Sequence, residues 1–335
     1  MIKNPEHIIV SRTDAIGDVV LTLPMAMVLR KQFPNCKITW FGKTYTHEVI
    51  KAASFVDGFI NFDEWMKLTE ADRIAQLKAL RADAIIHVFP RKEIASAAKQ
   101  AGIPNRIGTS HRFFHWLNCN YLINLGRKNS DLHEAQLNMK LVAPFNVIVP
   151  TVDELKSCGA YLSPTAKYSS EVLLTDKIKV ILHPKSRGSG REWGLDNFRK
   201  LLELLPAEKY SVFITGTQEE AKTMSDFIND LPTHVVNMTG KLSLAEYISF
   251  IQQCNGLVAA GTGPLHIAAA LGTNALGLFP PIRPIHPGRW EPIGPKARYL
   301  CINKKCNDCK KDSASCKCIT DITPMMVFAE IQQWK

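Results

Sequence analysis

At 335 residues the chain is long enough for two domains of ordinary size, about 150 residues each. Hydrophobic residues at 46% and charged residues at 21% exclude an intrinsically disordered or fibrous protein. Lys and Arg number 41 against 31 Asp and Glu, and the net charge of +10 points to an anionic partner: nucleic acid, a phosphorylated small molecule or an acidic lipid surface.

Short apolar runs alternate with helical periodicity almost from end to end. In the first half, residues 7–11, 37–41, 57–60, 84–88 and 105–108 are predicted strands. Residues 18–33, 44–53, 69–80, 91–102 and 131–143 are predicted helices. A polar stretch at 163–176 interrupts the series. It restarts with strands predicted at 179–183, 210–215, 234–237, 256–260 and 273–278, and helices at 195–204, 217–231, 243–254 and 264–271. A last helix is expected at 323–334. Such alternation implies an α/β protein with parallel sheets covered on both faces. The expected division is a first domain over 1–165, a second over 176–322, and a closing segment over 323–335. No internal sequence repeat is detectable.

Residues 256–282 carry no Asp, Glu, Lys or Arg, a length that raises the question of a spanning helix. Gly or Pro at 261, 263, 264, 272, 277, 280 and 281 breaks that stretch, which fits a buried strand, short helix and second strand better. The first residues, MIKNPEHIIVSR, lack a basic segment leading into an apolar core, so no signal peptide is expected. The reading is a soluble, cytoplasmic chain.

Four segments carry candidate chemistry. GTGPLHIAAALG (261–272) follows a predicted strand, with Pro264 suited to a helix start and Gly272 to the position just past its end. Gly261 and Gly263 remove side chains where a ligand could approach the backbone, and the free N–H groups and positive dipole end of such a junction favour a phosphate, although a tight βα turn explains the glycines equally well. His266, in the first turn, could donate to phosphate or ribose. HPKSRGSGREW (183–193) places Lys185, Arg187 and Arg191 among Ser186 and other small residues, the charge a diphosphate leaving group requires. SRTDAIGDVVLTLP (11–24) offers Asp18 as helix N-cap or as general base, with Asp14 competing for either role. Glu219 and Glu220 follow a strand, where a carboxylate grips ribose hydroxyls or simply occupies a helix's first turn.

Two further features bear on partners. Between residues 90 and 128, seven basic side chains face a single Glu93, giving +6 of the chain's +10. HRFFHW (111–116) forms the core of this patch, with Arg106 and Arg112 as acceptor-binding candidates. Basic and aromatic residues together suit a charged amphiphile at a membrane surface, or single-stranded nucleic acid. Cys306, Cys309, Cys316 and Cys318 crowd into 13 residues and could hold a structural zinc. Cys301 belongs to the same C-terminal stretch, and the four cysteines at 36, 119, 158 and 254 read as isolated thiols.

At these segments the chain resembles glycosyltransferase family 9, the ADP-heptose:lipopolysaccharide heptosyltransferases. The resemblance rests on DAIGDVVLTLPMAMVLRKQFP, HPKSRGSGREWGLDNFRKLL, GTQEE with LSLAEYI, GTGPLHIAAALG and the closing CITDITPMMV, in that order. It implies a GT-B fold: two Rossmann-like, doubly wound domains facing a cleft, with the last helix returning to the first domain. It also implies an inverting transfer needing no catalytic cofactor or metal. Asp18 matches the family's base and Arg191 its leaving-phosphate cation. Lys185, Ser186, Thr262 and Gly263 match diphosphate-binding positions, and Glu219 the ribose carboxylate. The implied donor is ADP-heptose. The implied acceptor is an anionic, lipid A-linked inner-core saccharide, met at the inner face of the cytoplasmic membrane. Gly261 departs from the Asp that many members carry, a position associated with the donor sugar. One alternative keeps the fold with a different nucleotide sugar and glycan acceptor. Another is a nucleic-acid-binding protein with a cysteine zinc site, against which the strand-end diphosphate loops argue.

Overall fold

The computed structural model describes residues 1–127, 130–302 and 317–334, in two compact units, Met1–Leu155 and Lys156–Lys335. In the first unit the order is β1 (His7–Ser11), α1 (Ile16–Val20), α2 (Leu23–Gln32), β2 (Lys37–Gly42), α3 (His47–Lys51), β3 (Gly58–Asn61), α4 (Phe62–Trp65), α5 (Glu70–Ala79), β4 (Ala84–His87), α6 (Lys92–Gln100), β5 (Asn105–Thr109), α7 (Phe113–Asn118), β6 (Tyr121–Ile123) and α8 (Glu134–Met139), with α9 (Val152–Ser157) spanning the boundary. The second unit continues with β7 (Ile178–His183), α10 (Leu195–Glu203), β8 (Tyr210–Ile214), α11 (Gln218–Thr223), α12 (Ser225–Asn229), β9 (Val235–Asn237), α13 (Leu244–Gln252), β10 (Gly256–Ala260), α14 (Gly263–Ala270), β11 (Asn274–Leu278), α15 (Pro287–Trp290), β12 (Ala297–Leu300) and α16 (Pro324–Ile331).

Each unit holds one six-stranded, wholly parallel sheet. The strand orders are β3-β2-β1-β4-β5-β6 and β12-β11-β10-β7-β8-β9. Both are the doubly wound 3-2-1-4-5-6 order, in which strand order reverses beside the first strand. The central strands HIIVS and GLVAA are buried along their whole length, as strands with helices on both faces must be. The charge-free stretch resolves into β10, α14 and β11, as its glycines and prolines suggested. Among the described residues no helix is long and apolar enough to cross a membrane.

Several expectations need correction. The helix expected over 18–33 divides at Leu21 and Thr22 into α1 and α2, and the one expected over 217–231 divides into α11 and α12 at Met224. The edge strands β6 and β12 were not anticipated: β6 has three half-buried residues, and β12 has two exposed residues at its centre, so neither shows a one-sided alternation. The unit boundary falls at Leu155 rather than 165.

The closing helix, expected to return to the first domain, packs on the second unit's own core. Val327, Ile331 and Trp334 are buried there with Val180, Val258 and Leu276. Gly256 makes room for it, since a Cβ there would lie 2.4 Å from the Trp334 ring. Trp193 Nε1 donates to the Ile322 carbonyl at 2.7 Å, tying α16's approach to the loop after β7.

Candidate active site

In the first unit the chain leaves β1 at the switch point beside β4, where ligands of this topology bind. Arg12 is 2% exposed and sits at the centre of a polar cluster. Its Nε donates to Asp14 at 2.7 Å, its Nη1 to Asn138 at 3.2 Å and its Nη2 to Asp18. Glu134, also buried, lies 3.5 Å from Arg12 and 3.3 Å from Arg127. Glu134 and Asn138 stand four residues apart on α8, so one helix face delivers both to Arg12.

Asp18 is the third residue of α1, whose N-cap is Ala15, so it does not cap the helix. Its electrostatics also differ from those of a cap. Burial pushes its carboxyl up to about 6; Arg12 opposes this, while the negative charges of Asp14 and Glu134 reinforce it. Burial likewise raises Asp14 against the pull of Arg12. The Asp18 side chain retains 22% exposure, enough to meet a ligand. A carboxylate with this value is ionised at neutral pH yet basic enough to take a proton.

In the second unit, two loops flank the switch point between β7 and β10. The loop after β7 turns at Arg187 and Gly188, both with positive φ, and lays Gly190 against Gly261. A Cβ on Gly190 would lie 3.4 Å from the Gly261 carbonyl oxygen, and Ser189 Oγ donates to that oxygen at 3.4 Å. The two phosphate candidates from the sequence are therefore neighbours. Thr262 is the N-cap of α14 and makes no capping bond; its Oγ1 is buried with no hydrogen-bond partner among the described residues. Past the other end of α14, Gly272 adopts φ +75° while Gly272 and Thr273 donate to Ala269 and Ala268, a Schellman closure.

The loop's three cations are not equivalent. Lys185 Nζ donates to Glu192 at 2.6 Å, and Arg187 pairs with Glu219 at 3.2 Å. Among the described residues Arg191 has no ion pair, and its Nε is buried with no hydrogen-bond partner. Ser186 uses its hydroxyl on Gly190 and its N–H on Glu192, so it shapes the loop. Glu220 closes a capping box with Thr217, leaving Glu219 as the exposed carboxylate of that turn. Beneath the loop, His183 Nδ1 lies 3.0 Å from Thr215 Oγ1, which lies 2.9 Å from the Tyr247 hydroxyl. Burial drives His183 down to about 4, so this floor is neutral.

Elsewhere the outcome is mixed. His266 is buried in α14. Arg112 is exposed at the start of α7, whereas Arg106 donates to the Asn118 and Ile103 carbonyls and holds α7 to β5 rather than reaching outward. Of the proposed zinc ligands, Cys306, Cys309 and Cys316 lie outside the described residues; Cys318 is buried. Sequence reasoning missed Arg12, Glu134, Asn138 and Glu192. The four-residue spacing of Glu134 and Asn138 was the available signal for two of them.

Residues 73–320 match the family described as Glycosyltransferase family 9 (heptosyltransferase), well over half of the chain. The chain belongs to glycosyltransferase family 9. A Haemophilus influenzae protein named only as a glycosyltransferase is 26% identical over 88% of each chain. Lipooligosaccharide heptosyltransferase 2 of the same organism is 22% identical over 95% of this chain and 96% of its own length. Among solved structures, Escherichia coli ADP-heptose LPS heptosyltransferase II aligns with a TM-score of 0.74 at 19% identity, covering 98% and 97% of the two chains. That likeness shows the expected fold, the α/β GT-B class with two Rossmann-like sheets. This family 9 chain is thus a glycosyltransferase, with Asp18 on one unit and the two glycine-rich loops on the other.

Proposed function

We propose that this enzyme transfers a sugar, heptose from ADP-heptose, with inversion and without a metal, to an inner-core saccharide linked to lipid A. The observation that carries the reading is the pair of buried donors without partners among the described residues, Arg191 Nε and Thr262 Oγ1, together with the contact of Gly190 with Gly261. A departing diphosphate would satisfy both, with the N–H groups and dipole of α14 adding to the cation. Glu219, exposed in the turn that follows β8, accepts from ribose hydroxyls in this reading. Asp18 takes the proton from the acceptor hydroxyl, whose oxygen bonds to the anomeric carbon as the carbon–phosphate-oxygen bond breaks. The electron pair leaves on the nucleoside diphosphate, where Arg191 offsets the charge. The relatives named for heptose transfer support the choice of sugar.

One observation favours a second donor. Where many family members carry Asp, a Cβ on Gly261 would lie 2.8 Å from the Phe279 ring, and Phe279 is 1% exposed. An apolar ring therefore occupies the surroundings of that position, which suits a nucleotide sugar recognised by fewer polar contacts there.

The test is a panel of ADP-, GDP- and UDP-sugars offered to wild type and Asp18→Asn in excess chelator. Transfer from ADP-heptose by wild type, and its near loss in Asp18→Asn, is the expected result. Preference for another nucleotide sugar replaces the donor. Near wild-type transfer by Asp18→Asn removes the base, and activity that returns only with added Mg²⁺ removes the metal-free mechanism.

A further inference from the structure

Helix α7 presents an apolar face to solvent. Phe113, Trp116 and Leu117 are 79%, 62% and 58% exposed, and their i, i+3, i+4 spacing puts them on one stripe, while His115 on the other side is buried. Ile148 and Leu174, more exposed still, have no exposed large apolar neighbour in the chain, and the exposed pair Met325 and Met326 has no aromatic ring. Three large apolar side chains within five residues form a patch of the kind that marks an interaction site. Trp116 is held in place although its ring is in water: its Nε1 donates to the Ser110 carbonyl at 2.8 Å. The ring is thus presented at a fixed angle with its polar atom already satisfied.

The surroundings carry basic side chains. Arg112 is exposed at the helix start, and Lys99 of the adjoining α6 donates to the Leu117 carbonyl at 2.8 Å, at the helix end. Lys92 is exposed on α6. We propose that α7 docks this enzyme on an anionic phospholipid bilayer, with Phe113, Trp116 and Leu117 entering the interfacial zone and Arg112 and Lys99 meeting headgroup phosphates. An apolar stripe bordered by Arg and Lys, with a tryptophan at its centre, fits that boundary. Single-stranded nucleic acid would use the aromatic faces but gains nothing from Leu117. None of these residues belongs to the two loops or to the Arg12 cluster, so the proposal holds whichever donor sugar is used.

The experiment is co-sedimentation of the full chain with vesicles of phosphatidylcholine alone and of equal parts phosphatidylcholine and phosphatidylglycerol, followed by tryptophan emission. Binding to the anionic vesicles about 10-fold or more tighter than to the neutral ones, weakening with salt, is expected from a few basic residues near a charged surface. Phe113→Ser/Leu117→Ser should lose about 10-fold or more with its melting temperature unchanged, since both positions are exposed. Arg112→Glu should lower binding to the anionic vesicles alone. Trp116→Phe should bind while losing the blue shift. Absence of binding to anionic vesicles, or binding unaffected by the double variant, overturns the proposal. So does a patch whose double variant instead abolishes oligonucleotide binding or self-association.

Discussion

At the residue scale, the chemistry depends on how much charge surrounds one carboxyl. Arg12 serves Asp14, Asp18 and Asn138 and approaches Glu134, so three carboxylates share one fully buried cation, while Arg127 pairs with Glu134 and donates to Asn138 at 2.9 Å. With the Asp18 carboxyl at about 6, the transfer rate should rise with pH through that value and level off above it, because only the ionised form accepts a proton. Glu134→Gln removes one repelling charge, so the rising limb should move to lower pH with a smaller change in the plateau. A limb that stays in place would show that Glu134 does not tune Asp18. The linkage sign follows from the same shift. A carboxyl that titrates higher when folded holds its proton more tightly than in the unfolded chain. Its contribution is therefore greatest at low pH and is lost as pH rises through about 6. At neutral pH the ionised group is a net cost, so Asp18→Asn should melt no lower than wild type while losing activity. Asp18 was legible as a carboxylate at a strand end. Its environment was not, because Glu134 and Asn138 come from a helix more than a hundred residues away.

At the element scale, the loop after β7 and the start of α14 were both visible as glycine-rich strand ends, and their proximity follows from parallel pairing of β7 with β10. Which cation works there was not visible, because three basic residues in a row of small ones look alike until Glu192 and Glu219 claim two of them. Arg191→Ala should therefore lower kcat by about 10²-fold or more, as removal of one electrostatic stabiliser does, and Lys185→Met should lower it less. Equal losses in the two variants would contradict this ranking. Thr262→Val removes a hydroxyl that none of the described residues uses. It should leave the melting temperature unchanged or raised and weaken nucleoside diphosphate binding by roughly 10-fold, the worth of one hydrogen bond to a charged group. Unaltered affinity would mean that the hydroxyl does not meet the ligand. Helix α7 escaped sequence reading because six residues give barely two turns of periodicity, and FFHW reads as aromatic rather than amphipathic.

For the whole molecule, both units have the same strand order, yet no sequence repeat is detectable, because the fold needs only the alternation of buried strands and amphipathic helices. That alternation was legible at nearly every central strand and failed at the edges β6 and β12, where burial is incomplete. The two units also divide the proposed chemistry, with the base in Met1–Leu155 and the nucleotide loops in Lys156–Lys335. Donor binding and proton removal should therefore be separable by mutation. In amide hydrogen exchange, ADP should slow residues 184–192 and 261–266, because ligand binding suppresses local opening of the segments it orders. Asp18→Asn should show the same protection as wild type, since Asp18 belongs to the first unit and the nucleotide loops to the second. Arg191→Ala and Thr262→Val should lose much of it while keeping the exchange pattern of residues 7–22. If Asp18→Asn abolished the protection of 184–192, the carboxyl would belong to nucleotide binding. The assignment of donor and acceptor chemistry to separate units would then fail.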